Sequence, residues 1–396
     1  MFCASMAGAA LVDVVVVGAG LSGAVAAAAV HAAGRSVAVL EGRARAGGRT
    51  YSVGGADGGA SWVWPHMEPS VSRLASTLDL ELVPQHSSGD VVVDQGDAGV
   101  QRLDADASMV APFGEGAFRL DGGAAEMAKL LLEQLPQKTL MLGCEVHAVA
   151  ATPEGGVRVE YSGGGTLRAR IAVLAAPPRV LLQQIKFNPP LEVHKVAAME
   201  SCPTWMATSA KLVVACSDAF WRQRGLSGLA VSASGPGESW WEACDGKGGA
   251  NRPCLAAFVS RQGAARLGAA LAEADGKDDA TRRLALRAQV LPQLSRLFRV
   301  DLQEVERLVL DVHFVDWRAE RLTNTPELEG GSHDQVGNPT LGAPAANDTL
   351  LFAGTETERC YGHMEGAVRA GERAAREALQ ALSQHRSAGP CDTDST

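Results

Sequence analysis

The stretch that decides the fold is Leu11-Val12-Asp13-Val14-Val15-Val16-Val17-Gly18-Ala19-Gly20-Leu21-Ser22-Gly23, followed by Ala24–Ala33, Gly34 and Ser36-Val37-Ala38-Val39-Leu40-Glu41. Leu11–Val17 is a β-branched apolar run broken only by Asp13, which reads as a buried parallel strand. Ala24–Ala33 has strong helix propensity, with Gly34 placed to cap it. Ser36–Leu40 is a second apolar strand that ends on Glu41. Together these make a βαβ unit of roughly 30 residues. In that context the glycines have separate tasks: Gly18 allows the tight turn, Gly20 lets the backbone approach a pyrophosphate, and Gly23 lets the helix pack on the strand. Leu21 and Ser22 open the helix, whose free N–H groups and positive dipole end face the phosphates. Glu41 is placed to accept hydrogen bonds from the adenosine ribose hydroxyls, and its carboxylate disfavours a 2′-phosphate. The segment therefore predicts an adenine dinucleotide site.

Outward from this unit, the chain is long enough for two cores at 396 residues. Its hydrophobic fraction of 46% and charged fraction of 20% describe a globular chain. A net charge of −9 argues against a nucleic-acid groove or an anionic membrane surface. The eight cysteines form no C-x-x-C pair and no Cys/His cluster at zinc spacing, so reduced thiols and no metal are expected. Val14–Val30 is uncharged, but its glycines mark the dinucleotide turn rather than a membrane span. The amino terminus lacks a basic secretory start and 386–396 is a polar tail, so a soluble, intracellular protein is expected.

Further strands are predicted over Cys144–Ala148, Val157–Tyr161, Thr166–Ala175, Lys211–Cys216 and Leu350–Ala353, with a hairpin turn at Ser162–Gly165. Asp279–Phe298 reads as a helix with Leu284, Leu291, Leu294 and Phe298 near one face, kinked or split at Pro292. Met364–Leu382 reads as a long final helix. Ser52–Gly59, Ser232–Gly237 and Gly246–Ala250 read as loops.

After Glu41 comes Gly42-Arg43-Ala44-Arg45-Ala46-Gly47-Gly48-Arg49-Thr50, where paired glycines permit close approach and arginines match phosphate geometry. Here the chain resembles the flavin-containing amine oxidase family, in particular its shorter bacterial-type members. Four more stretches match in the same order. Asp57-Gly58-Gly59-Ala60-Ser61-Trp62 resembles the segment lying against the flavin ring, and Leu120-Asp121-Gly122-Gly123 the second glycine pair. Val146 falls on the strand that contacts the adenine through its backbone. Leu351–Thr357 followed by Gly362–Ala367 resembles the carboxy-terminal signature, in which a helix begins beneath the flavin.

The resemblance implies a Rossmann-like α/β FAD-binding domain, a parallel sheet plus β-meander, interleaved with an α+β substrate domain. The FAD-binding part is expected at 1–75, 120–200 and 336–385, and the substrate domain, with a mixed or antiparallel sheet, at 76–119 and 201–335. Expected cofactor contacts are Gly18, Gly20, Leu21, Ser22, Gly23, Glu41, Gly42, Arg43, Gly48, Arg49, Gly59, Ala60, Ser61, Trp62, Val146, Gly354, Glu356 and Met364. Asp301–Arg359 contains no cysteine, so non-covalent FAD is expected. The implied reaction oxidises a small amine: the imine is hydrolysed and O2 is reduced to hydrogen peroxide.

Lys211 matches the family's lysine that reaches the flavin N5 through water, at the family's distance before Phe220-Trp221-Arg222. It also interrupts an apolar strand, where a lysine is costly unless it is paired or functional. The alternative is an edge-strand lysine reaching solvent. His363 stands where the family places one of two substrate-site aromatic rings, and can serve as half a cage, a hydrogen-bond partner or a packed residue. The second ring aligns with His333 or Val336, and Tyr361 is nearby. The chain is much shorter than the larger amine oxidases between Trp62 and Gly122. Two other readings stay open: an amino-acid oxidase or C–C desaturating enzyme, with Arg318, Arg321 or Arg359 as a carboxylate clamp, and a flavin-binding protein with a degraded active site.

Overall fold

The computed structural model describes residues 11–104, 111–244, 252–325, 337–358 and 362–387. His333, Val336, Arg359, Tyr361, Cys3, Cys360, Cys391 and the Gly246–Ala250 loop lie outside the described residues. The chain divides into two units. Unit 1 is Met1–Arg49, Met127–Ala207 and Arg321–Thr396, and unit 2 is Thr50–Glu126 and Thr208–Glu320. The expected scheme placed 50–75 with the dinucleotide fold; here those residues group with unit 2. The short ribbon Ser52–Val53/Ala56–Asp57 and the side chain of Asp57, which pairs with Arg119, bind them there.

Unit 1 is built on the predicted βαβ unit: β1 (Val12–Val17), α1 (Leu21–Ala32) and β2 (Val37–Glu41). Val14, Val15 and Val16 are fully buried, as a strand covered on both faces requires. β1 lies between β2 and Gly165–Leu174, parallel to both. The sheet has eight strands, with Leu140–Leu142 parallel to β2 and Leu350–Phe352 parallel to the distal half of Gly165–Leu174. Val146–Ala151, Val157–Tyr161 and Gly165–Leu174 form the antiparallel meander. A Rossmann-like sheet extended by a meander is the expected class. Gly23 explains the close helix–strand packing, because a Cβ there would fall 2.0 Å from the Gly18 carbonyl oxygen.

Unit 2 carries a seven-stranded mixed sheet in the order Val309–Asp316, Ala210–Cys216, Cys254–Val259, Gly237–Glu242, Leu226–Ser232, Asp90–Asp94, Val100–Leu103. Only the Leu226–Ser232/Asp90–Asp94 pair is parallel. Strand alternation gives the sheet two faces. Leu212, Val214 and Cys216 join a core with Leu291, Leu294 and Phe298 of the Asp279–Phe298 helix. Val213 and Ala215 join a second core with Ala56, Phe113, Trp241 and Ala256, against which Trp62 and Phe258 pack.

Four expectations change. The Asp279–Phe298 helix is not split at Pro292 but continues through it. Pro292 and Ala288 are both exposed, so water can take the carbonyl that the proline leaves without its N–H partner. Leu284 is 65% exposed rather than core, because Leu286, Val290, Leu294 and Leu297 centre the buried stripe elsewhere. Ser52–Gly59 is not all loop, since Ser52–Val53 pairs with Ala56–Asp57. Cys202, Cys216, Cys244 and Cys254 are free, whereas Cys144 is disulfide-bonded, contrary to the expectation of reduced thiols throughout. Burial pushes the Cys202 thiol up to about 12, so it is not a nucleophile near neutral pH.

Candidate functional site

In unit 1 the glycine turn is tied to both of its neighbours. Gly18 donates to the Leu40 carbonyl at 2.7 Å, which fixes the turn against the tip of β2. Glu41, 3% exposed, accepts the Ala19 N–H and the Arg43 N–H, each at 2.9 Å. The acid is therefore held at the strand tip with both oxygens oriented, which is the arrangement a ribose diol needs. Gly47 donates to the Ala19 carbonyl at 2.8 Å. Gly48, at φ 58°, brings its backbone so close that a Cβ would meet the Gly20 Cα at 3.1 Å.

The helix α1 begins at Gly20 with no side-chain cap and no acidic residue in its first turn. Its first N–H groups and positive dipole end are left to an anion. A Cβ on Gly20 would meet only backbone, at 3.9 Å. A narrow backbone-lined turn, an uncapped helix end and an oriented carboxylate fit an adenine dinucleotide.

The carboxy-terminal segment completes this cradle. Gly354 donates to the Ser22 hydroxyl at 3.0 Å. Arg49 forms a bidentate pair with Glu356 at 2.6 and 3.0 Å, and Glu356 is fully buried. Met364 is buried at the start of the final helix, Met364–Ser387. His363 is partly buried just before it, and its backbone carbonyl accepts the Thr355 hydroxyl at 2.8 Å. Val146 is buried at the start of its strand, opposite Tyr161.

Thr323 was not foreseen. Its hydroxyl accepts from Arg43 at 2.8 Å, and a Cβ on Gly42 would meet Leu322 at 2.9 Å. The 321–325 stretch thus lies over the Glu41–Arg43 loop. It is fastened at one end by Arg321, whose guanidinium grips Glu145 through two contacts of 2.5 Å. The side-chain hydrogen bond from Arg321 holds the Glu145 carboxyl below its usual value of 4.5. A depressed carboxyl adds stability above that value, and the stability is lost as pH falls through the lowered one. Both side chains are partly exposed, so Arg321→Ala should cost under about 1 kcal/mol at pH 7. Urea titrations should show that difference closing below pH 4.5; a difference that persists in acid would place its cause elsewhere.

In unit 2 the lysine is not at a sheet edge. Ala210–Cys216 lies between Val309–Asp316 and Cys254–Val259, and all seven of its residues are buried. Lys211 is 5% exposed, on the same side as Val213 and Ala215. Its ammonium donates to the Gly59 carbonyl at 2.5 Å and the Ser61 hydroxyl at 2.8 Å. The ring centroids of Trp62, Trp241 and Phe258 lie 5.5, 5.3 and 5.3 Å away. The solvent-reaching alternative is excluded.

The Gly58–Trp62 loop is itself anchored. Gly59 donates to the Tyr51 carbonyl at 2.9 Å, and the Trp317 indole donates to the Gly58 carbonyl at 3.0 Å. The Trp62 indole donates to Gln85 at 2.8 Å. At the head of the loop, burial drives the Asp57 carboxyl above its usual value, opposed by Arg119 at 3.3 Å, the Ala124 N–H and the Ser52 hydroxyl, both at 2.9 Å, and by Lys211. Trp241, Phe258, Gln85 and Arg119 went unnoticed in the sequence. Strand alternation in the apolar run Cys254–Val259 could have put Phe258 on a core face, but not beside a lysine 47 residues earlier in the chain.

Residues 106–379 match the family of flavin containing amine oxidoreductases, and residues 16–78 match the NAD(P)-binding Rossmann-like domain. The chain belongs to the flavin-containing amine oxidoreductase family. Human flavin-containing amine oxidase B is 26% identical over 477 residues, covering 93% of this chain and 86% of the relative, and the bovine enzyme is 26% identical over 472 residues with the same coverage. Cyclohexylamine oxidase from Brevibacterium oxydans shares the fold at a TM-score of 0.71 and 22% identity, covering 94% of this chain and 100% of that one. A putrescine oxidase, solved as the wild type bound to putrescine, shares it at 0.71 and 20% identity, covering 94% and 99%. The protein is thus a flavin-dependent oxidoreductase of the amine oxidase type. Among the described residues no helix is long and apolar enough to cross a membrane, and no cluster of His, Cys, Asp and Glu could hold a metal ion.

Proposed function

We propose that this member of the family is an FAD-dependent oxidase of a small amine, with FAD held non-covalently and O2 as the electron acceptor. The observation that carries the reading is Lys211: a lysine buried inside a sheet with its Nζ seated on the Gly59–Ser61 loop. A chain with no use for that charge gains nothing from burying it, since removing a charge from water is costly. This weighs against a degraded active site.

Bound FAD supplies the acceptor for two electrons and a hydrogen from the carbon beside the amine nitrogen. Water then adds to the imine, and O2 takes up two electrons and two protons to give hydrogen peroxide. The chain's own residues would do the holding. Gly18, Gly20, Gly48 and the first turn of α1 take the pyrophosphate, and Glu41 takes the ribose. Arg43 and Arg49 shape the loop beside it, Val146 meets the adenine, and the segment from Gly59 to Trp62 flanks the ring. Lys211 would supply a fixed positive charge to the flavin reaction. His363, ahead of the final helix, would replace an aromatic wall with a smaller, polar ring.

An amino-acid oxidase needs an arginine free to clamp a carboxylate. Arg318 pairs with Asp316 at 2.7 Å and Arg321 pairs with Glu145, so neither of these two is available. With Arg359 outside the described residues, the pairing of these two arginines supports amines over amino acids as substrates.

The purified protein should be yellow, and acid denaturation should release all of the flavin. Small amines should bleach it without oxygen, whereas amino acids should not. Bleaching by amino acids alone would overturn the substrate class. Lys211→Met should keep FAD bound and slow bleaching or reoxidation about tenfold to a hundredfold, equivalent to about 1.4–2.7 kcal/mol of barrier. Unchanged rates in both half-reactions would remove the lysine from the chemistry.

A further inference from the structure

A buried ammonium loses its hydration, and only acceptors or electron-rich surfaces can replace it. Lys211 has both. Ser61, 4% exposed, donates its own proton to the Gly59 carbonyl at 3.2 Å, so its lone pairs are left to face the ammonium. The three rings pack as a nest, with centroids 5.0 Å apart for Trp62–Trp241, 4.9 Å for Trp241–Phe258 and 6.2 Å for Trp62–Phe258. Gln85 holds Trp62 in place. Among the described residues the Trp241 indole N–H has no hydrogen-bond partner, so Trp241 offers its ring and not its nitrogen. Among the described residues, Asp57, paired with Arg119, interacts electrostatically with Lys211.

We propose that Ser61 is a positioning residue for Lys211: with the rings of Trp62, Trp241 and Phe258 it holds the lysine as a cation at a fixed point on the Gly59–Ser61 loop. The inference rests on the reading of Lys211 as the group that serves the flavin reaction. The rings decide the charge state, because a hydroxyl can hold either form of the amine, whereas three ring faces attract only the cation. A charge fixed in advance stabilises negative charge that develops beside it without having to reorganise.

The test uses the full-length holoprotein as wild type, Ser61→Ala, Ser61→Thr, Lys211→Met and the Lys211→Met/Ser61→Ala double variant. The flavin-to-protein absorbance ratio serves as the check on folding. With 13C-labelled lysine, the ε-methylene signal that Lys211→Met deletes should be ring-shifted upfield and should keep its ammonium position through neutral pH. Ser61→Ala should move it toward the position of an exposed lysine, and Ser61→Thr should restore it. A signal in the neutral-amine position at pH 7, or one unmoved by Ser61→Ala, overturns the proposal.

In the kinetic arm, Ser61→Ala should slow the Lys211-dependent half-reaction about tenfold, in keeping with loss of a hydrogen bond to a charged group. It should add nothing in the Lys211→Met background. A full additional effect there would mean that Ser61 acts independently of the lysine. If Ser61→Thr fails to hold FAD, Ser61→Cys takes its place, with rates expected between those of Ser61→Ala and wild type. Should Lys211→Met leave both half-reactions unchanged, the role given to Lys211 fails, while the lysine signal still judges the nest separately.

Discussion

Gly23→Ala should yield a colourless protein. The added methyl would sit 2.0 Å from the Gly18 carbonyl oxygen and 3.2 Å from a Val16 methyl. The first obstacle is backbone and cannot rotate away, so α1 must lift from β1. Overpacking of a core by a single methylene costs about 1–3 kcal/mol, and displacing main chain costs more. That lift also breaks the alignment of the helix end with the turn, so FAD occupancy should fall below about a tenth of wild type, a penalty above about 1.4 kcal/mol. Gly20→Ala is the matched contrast. Gly20 has φ −71°, which alanine adopts readily, and its added methyl would meet only backbone at 3.9 Å. Its flavin-free form should unfold at the same urea concentration as the flavin-free wild type, yet bind FAD far more weakly, because the methyl occupies the space of the ligand. Equal FAD affinity in Gly20→Ala and wild type would show that no phosphate approaches this turn.

Arg49→Ala should be the most destabilising single change in the cradle outside the glycines. Glu356 is 0% exposed, and Arg49 is its bidentate partner. Removing the arginine strands a carboxylate in the interior, which costs about 3–5 kcal/mol. The Arg49 side chain is 28% exposed, so the reverse change, Glu356→Gln, leaves a cation that can still reach water and should cost clearly less. Arg49→Lys should fall between them, because it keeps the charge and loses the two-pronged geometry. Urea unfolding of the four proteins without FAD would establish the order. A loss under 1 kcal/mol for Arg49→Ala would mean that the pair is no stronger than a surface contact.

Local pattern made the dinucleotide unit legible, because every signal in Leu11–Glu41 lies within one supersecondary element. β-branching, glycine spacing and the closing acid all point the same way. Lys211 was legible for a related reason: a charge in the apolar run Ala210–Cys216 is anomalous whatever surrounds it. Its partners were not legible. Phe258 meets Lys211 because their strands pair in one particular register, and Trp241 enters through a further strand, Gly237–Glu242. Register between distant segments is a property of the assembled sheet. Thr323 and Arg119 act through side-chain contacts across long stretches of chain, to Arg43 and Asp57 respectively. Leu284 misled because heptad spacing placed it with Leu291, while the sheet beneath selected a stripe centred on Val290 and Leu294.

The bonds from Arg49 to Glu356 and from Gly354 to Ser22 span more than 300 residues of sequence, at separations of 307 and 332. During synthesis the glycine turn leaves the ribosome early, but it stays unfinished until the Gly354–Glu356 turn follows it. Cofactor capture therefore waits on a turn made more than 300 residues later, and a chain halted just before Gly354 would carry the whole amino-terminal motif and still be unable to keep FAD.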